Sequence, residues 1–175
     1  MQIDLEDLAA RVGSLEDLEA IHSAWRDYLF GLDSADYESL ANVFTADAVL
    51  DMVGLDDYQP GQDRAYHGRE EIIDEFYKPV IDTVARPDLG MFYTGHHGTN
   101  MEIDLDGDEA TTLAYFFEIL GNTQLLIGTY QHRMRREADR WRIAYMRIAI
   151  RYRAKLEASD FGGLSLAEVR SMPVG

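Results

Sequence analysis

The chain's prevailing hydrophobic period changes near Arg86, and this change restricts the folds open to it. Before that point two long stretches carry apolar residues every three or four positions. "SLEDLEAIHSAWRDYLFGLD" carries Leu15, Leu18, Ile21, Trp25, Leu29 and Leu32 at helical spacing, and "REEIIDEFYKPVIDTVA" carries Ile72, Ile73, Phe76, Val80 and Ile81. After it, "NMEIDL" alternates and "DGDEA" supplies an Asp-Gly turn. "TTLAYFFEIL", "TQLLIGTYQHRMRRE" and "RWRIAYMRIAIRYRAK" then read as long strands joined by short turns. Helices first and antiparallel strands afterwards predict an α+β fold, with the helices laid on one curved sheet.

Local signals divide the first half further. Ser14 is the expected N-cap of the first helix, followed by acidic residues in its first turn. "SADYESLANVF" predicts a second, short helix beginning near Asp33 or Ser34, and "ADAVLDMVG" a first strand. "DDYQPGQDRAYHG" reads as a polar loop, and Pro79 predicts a break or kink in the third helix. The expected organisation is an N-terminal extension over 1–13, one domain over 14–153 and a tail over 154–175 with a short helical piece.

Composition removes whole classes of function. The 175 residues suit one domain with a real core. Sixteen basic against 32 acidic residues give a formal net charge of -16, which repels phosphate backbones and anionic lipid, so neither nucleic acid nor membrane is an expected partner. There is no cysteine, hence no disulfide, thiol nucleophile or Cys-type metal site. No apolar run is long enough to span a bilayer and "MQIDLEDL" is unlike a signal peptide, so a cytoplasmic protein is expected. "DLDGDEA" places Gly107 fourth from Asp104 where a calcium loop needs glycine sixth, and an Asp-Gly turn explains it better. No cofactor or metal is implied.

The residues able to do acid–base chemistry are few. "YTGHHGTNMEID" sets His96 beside His97, and in a strand the two point to opposite faces. Unbroken alternation puts His97 on the face of Met101, Ile103 and Leu105; a β-bulge at Gly98 would put His96 there instead. A neutral imidazole accepts protons near neutral pH, and a carboxylate on its other nitrogen fixes the tautomer. Asp33 is placed either to cap a helix or to act as that carboxylate. Tyr28 is a core tyrosine or a hydroxyl donor. Glu118 lies in the apolar "AYFFEIL", where a carboxylate needs a partner; it either points into the pocket as a polar anchor or pairs with an arginine of a neighbouring strand, and the arginine pair is the expected one. Trp25, Phe116, Tyr130 and Met146 would line a cavity or fill the core. His132, in "QHRMRR", reads as part of a solvated or subunit-contact face.

"LANVFTADAVLD", "YHGREEI", "NMEIDLDGDEA" and "RWRIAYMRI" together resemble the SnoaL-like branch of the nuclear transport factor 2-like superfamily, over roughly residues 14 to 153. That branch includes scytalone dehydratase, a bile-acid dehydratase and the γ-hexachlorocyclohexane dehydrochlorinase. The resemblance implies a cone-shaped barrel of a curved mixed or antiparallel sheet, with three N-terminal helices packed on one face. It further implies a cofactor-independent lyase acting on a small cyclic, polyketide-like or steroid-like substrate. Asp33, at the end of "GLDS", matches the position of the catalytic aspartate, and His96, four residues before Asn100 in "HHGTN", that of the base. Tyr28 matches a site tyrosine of the dehydratases, where the dehydrochlorinase has lysine. The dehydrochlorinase's site arginine would fall on Met146, five residues after Trp141, and Arg147 stands one position later. Dehydration is therefore expected ahead of dehydrochlorination, with Trp25, Phe116, Glu118, Tyr130, Met146 and Arg147 as substrate contacts. The resemblance also implies a homodimer or homotrimer. The same scaffold serves isomerases, polyketide cyclases and the non-catalytic small subunits of ring-hydroxylating oxygenases.

Overall fold

The computed structural model describes residues 4–57, 60–84, 95–120 and 124–156, so the helical piece expected in the tail lies outside the described residues. The order is α1 (Leu5–Ser34), α2 (Tyr37–Asn42), β1 (Phe44–Val53), β2 (Arg64–His67), α3 (Arg69–Glu71), a π-helical turn (Ile72–Tyr77), α4 (Lys78–Val84), β3 (Gly95–Asp106), β4 (Glu109–Leu120), β5 (Gln124–Glu137) and β6 (Arg140–Lys155). One sheet of six strands runs β2-β1-β6-β5-β4-β3, antiparallel throughout except for the parallel β1–β6 pair. The sheet curves without closing, and β2 and β3 are its edges. Among the described residues, no helix is long and apolar enough to cross a membrane.

Three local expectations give way to the structure. The first helix starts at Leu5, capped by Asp4, whose carboxylate accepts the Glu6 N–H at 3.0 Å. Ser14 is not its cap but an interior residue whose hydroxyl donates to the Ala10 carbonyl. The polar loop contains β2, because Tyr66 turns inward while Arg64 and Ala65 stay exposed, a pattern too short to register as alternation. Pro79 does not break its helix. The helix runs through it to Val84, after a wider turn in which Lys78 N–H bonds back to Ile73 C=O.

The core lies between α1 and the concave face of the sheet. Ile21, Trp25, Tyr28 and Leu32 form the buried stripe of α1, one face of a 3.6-residue period. On β4 the inward side alternates without interruption through Ala110, Thr112, Ala114, Phe116 and Glu118. Each large apolar side chain fully buried here contributes about 1.5–3 kcal/mol. Asp17 fastens the middle of α1 to the far end of the sheet, accepting from Arg136 at 2.6 Å and from the Trp141 indole at 3.1 Å. The Arg136 bond holds its carboxyl below the usual range. That anchor sets the direction in which the C-terminal end of α1 travels toward β3.

Candidate functional site

Two capping arrangements free Asp33 for other work. α1 ends with Ala35 in the left-handed conformation (φ 55°), where Asp36 N–H bonds to the Gly31 carbonyl. Asp36 then caps α2, accepting from Ser39 N–H at 3.0 Å. The N-cap role weighed for Asp33 thus belongs to Asp36. Asp33 sits in the last turn of α1 and points at the start of β3.

There it meets His96 twice. The backbone N–H of His96 donates to Asp33 Oδ1 at 3.1 Å, and the ring Nδ1 lies 2.6 Å from the same oxygen. The other ring nitrogen, Nε2, is 2.9 Å from Glu118 Oε1. The partner of Glu118 is therefore this histidine, not the arginine expected from the sequence. The reason is register: His96 lies directly opposite Glu118 on β4. An ionised carboxylate only accepts hydrogen bonds, so this geometry suits a ring protonated on both nitrogens, an imidazolium. Burial alone would oppose that charge, but Glu118 and Asp33 overcome it and raise the pKa from 6.5 to about 9.

The bulge that decides between the two histidines is real but lies later than Gly98. Near the hairpin turn Asp106 pairs with Glu109 and Ile103 with Thr112; beyond a shift between Thr99 and Glu102, Thr99 pairs with Tyr115 and His96 with Glu118. One extra residue is accommodated there, with Asn100 at φ 55°. This puts His96 and the Met101–Ile103–Leu105 set on the same concave side. His97 falls on the other side, its ring stacked on Phe117 at 4.5 Å.

His96 and Glu118 line a cavity of about 450 Å³ whose wall also includes Tyr28, Tyr77, Tyr130 and Leu32. Tyr28 and Tyr77 share a hydroxyl–hydroxyl hydrogen bond of 2.9 Å, and the Tyr77 hydroxyl also reaches the Met146 sulfur at 3.6 Å. Burial, first of all, pushes the phenols of Tyr28, Tyr77 and Tyr130 well above 10, so they remain neutral hydroxyls. A larger groove of about 640 Å³ runs along the opposite side of α1, past Asp27 and Trp141, and holds none of these groups.

The remaining expected contacts divide cleanly. Trp25, Phe116 and Met146 are buried core residues behind the cavity wall, not parts of it. Trp25 stacks on Tyr28 at 5.3 Å, and Phe116 packs on Tyr130 at 4.5 Å. Arg147 is on the outer face, paired with Asp51 at 3.5 Å, because β6 alternates without a shift between Met146 and Arg147. His132 is buried, not solvated. Its Nδ1 lies 2.6 Å from the Thr112 hydroxyl and burial lowers its pKa to about 3, so it is a neutral core residue. Sequence reasoning missed Tyr77, although it stands four residues after Ile73 and four before Ile81, on the same buried stripe, so the helical period itself was the available signal. Among the described residues, no group of three or more His, Asp or Glu side chains is arranged to hold a metal ion.

No curated protein sequence matches the chain. Among solved structures it is similar to a scytalone dehydratase-like protein from Novosphingobium aromaticivorans DSM 12444, at 22% identity, 82% and 90% coverage of the two chains and a TM-score of 0.62. It is also similar to LinA, at 18% identity, 83% and 93% coverage and a TM-score of 0.68. A third likeness is to the hexachlorocyclohexane dehydrochlorinase LinA-type3 from Novosphingobium barchaimii LL02, at 20% identity, 88% and 94% coverage and a TM-score of 0.60. At these identities the shared feature is the fold. Residues 13–147, most of the chain, match the family described as the SnoaL-like domain, and the chain belongs to that family.

Proposed function

We propose that this protein is a cofactor-independent lyase that eliminates water from a small cyclic substrate through the Asp33–His96–Glu118 chain. The observation that carries the reading is the 2.6 Å contact between Asp33 and His96, which holds a largely buried imidazole at the wall of a partly open cavity. Desolvation strengthens each polar interaction in such a place, and a positioned acid–base group contributes roughly 10²–10⁴-fold. The neutral Tyr28 hydroxyl can hydrogen-bond a departing oxygen. Its presence where the dehydrochlorinase keeps lysine, and the outward direction of Arg147, favour hydroxyl over halide as the leaving group.

The cavity volume admits a substrate of one to three fused rings, on the order of a few hundred Å³ as for ordinary small-molecule sites. The test is a panel of β-hydroxy carbonyl and chlorinated cyclic compounds incubated with purified protein, products being weighed by mass spectrometry. Loss of water that depends on Asp33 is the expected result. Products of unchanged mass would replace this reading with an isomerase or cyclase. No turnover, together with co-purification of a larger iron protein, would replace it with a non-catalytic subunit. Self-association into a dimer or trimer is part of the proposal and is checked by light scattering.

A further inference from the structure

We propose that Glu118 is the group that takes the proton from the substrate, with His96 and Asp33 as the positioning pair behind it; this rests on the elimination reading above. His96 has nothing left with which to accept a proton. Its Nδ1–H is directed to Asp33 at 2.6 Å and its Nε2–H to Glu118 at 2.9 Å, so both ring lone-pair positions carry hydrogen. Asp33 is occupied by the His96 ring and backbone N–H and does not line the cavity. Glu118 does line it, with its side chain only 9% exposed, and among the described residues its hydrogen-bonding partner is the His96 ring. A carboxylate offers about four lone-pair sites, of which this bond takes one. Of the three groups, Glu118 alone combines unused basic capacity with a place on the cavity wall.

The chemistry closes on that one carboxylate. Glu118 takes a proton from carbon, the C–H electron pair becomes the new C=C bond, and the neighbouring C–O bond breaks. The departing oxygen takes the proton back from the Glu118 carboxyl and leaves as water, regenerating the carboxylate. The imidazolium fixes the carboxylate's orientation throughout. Other titratable or charged groups on the cavity wall are Tyr28 of α1, Tyr66 of β2, Glu75 and Tyr77 of the π-helical turn, Tyr130 of β5 and Arg153 of β6.

A probe that reports proton removal directly makes the test independent of the natural substrate. In 5-nitrobenzisoxazole a base removes the ring C–H proton, the C–H pair completes a nitrile, and the N–O bond breaks to a coloured phenolate. Its opening is followed across pH with the wild type, Glu118→Gln, Glu118→Asp, His96→Gln and Asp33→Asn, each checked for folding by circular dichroism. The expected result is a rate that holds from neutral pH up to about 9, where the carboxylate and the imidazolium coexist, and falls above it. Glu118→Gln should lose roughly 10²-fold or more, Glu118→Asp should retain part of the rate, and His96→Gln should lose less than Glu118→Gln. A rate that instead climbs toward pH about 9, lost in His96→Gln and kept in Glu118→Gln, overturns the assignment while leaving the elimination reading intact. No acceleration by the wild type over buffer overturns both, because the cavity then holds no accessible base.

Discussion

Asp33 grips His96 by two atoms across 63 positions of sequence: the carboxylate accepts the backbone N–H at 3.1 Å and lies 2.6 Å from the ring Nδ1. The backbone bond ties the end of α1 to the first residues of β3, and the ring bond fixes the imidazole's rotation. Asp33→Asn keeps an oxygen for the backbone N–H but removes the charge. The His96 pKa is expected to fall below about 9, read from its ring resonances in an NMR titration, and turnover of a confirmed substrate to fall roughly 10²–10⁴-fold.

Two buried histidines make stability depend on pH with opposite signs. His96 has a folded pKa of about 9 against an ordinary 6.5, so the stability it contributes is complete below 6.5 and is lost as pH rises through 9. His132 has a folded pKa of about 3, so it costs nothing above 6.5 and destabilises progressively as pH falls from 6.5 toward 3, while the unfolded chain takes up the proton. Melting temperatures measured across pH should show His96→Gln flattening the alkaline limb and His132→Gln flattening the acid limb. An unchanged acid limb in His132→Gln would remove that histidine from the account.

Gly98 is the seat for Trp25. A Cβ at residue 98 would stand 2.5 Å from the indole Cζ2 and 2.8 Å from Nε1, closer than any real contact. Trp25 lies on the same helix as Asp33 and Gly98 on the same strand as His96, so this contact sets the spacing of the pair. Gly98→Ala is expected to cost about 1–3 kcal/mol by overpacking and to lower the His96 pKa by pushing α1 away. Adding Trp25→Phe should restore part of both. Urea unfolding and the NMR titration of His96 supply the two readings.

Asn100 carries the bulge at φ 55°, a conformation that β-branched side chains resist. Asn100→Gly is expected to be tolerated, whereas Asn100→Val should cost about 1–3 kcal/mol of strain or force the strand into the unshifted register. In that register His97, not His96, faces Glu118. Loss of the alkaline His96 resonance in the valine variant, with retention in the glycine variant, is the expected outcome.

The Tyr28–Tyr77 hydroxyl bond is buried and spans 49 positions of sequence. Tyr77→Phe should cost about 0.5–1.5 kcal/mol of stability, the ordinary net value of one such bond. Tyr28→Phe should in addition reduce kcat for a hydroxyl-bearing substrate, with a smaller effect on a halide. Equal effects on both substrates would remove Tyr28 from leaving-group chemistry.

Much of this molecule follows from local pattern. The change from a 3.6-residue to a 2-residue period marks the α+β order, and the uninterrupted alternation of β4 puts Phe116 and Glu118 inside, because each element must bury one face wherever it packs. The family spacing points to Asp33 and His96. What alternation could not say was which histidine would stand opposite Glu118, since the hairpin turn and the strand's start disagree by one residue. A single bulge at Asn100 reconciles them, and its position is chosen by the fit of Trp25 against Gly98 and by the reach of Asp33. Likewise the helical period places Tyr77 on a buried face with Ile73 and Ile81, but only the packing of that helix brings its hydroxyl to Tyr28. Pairings of one residue with another far along the chain depend on where α1 comes to rest on the sheet. That placement is a sum of many packed contacts, and no single stretch of sequence contains it.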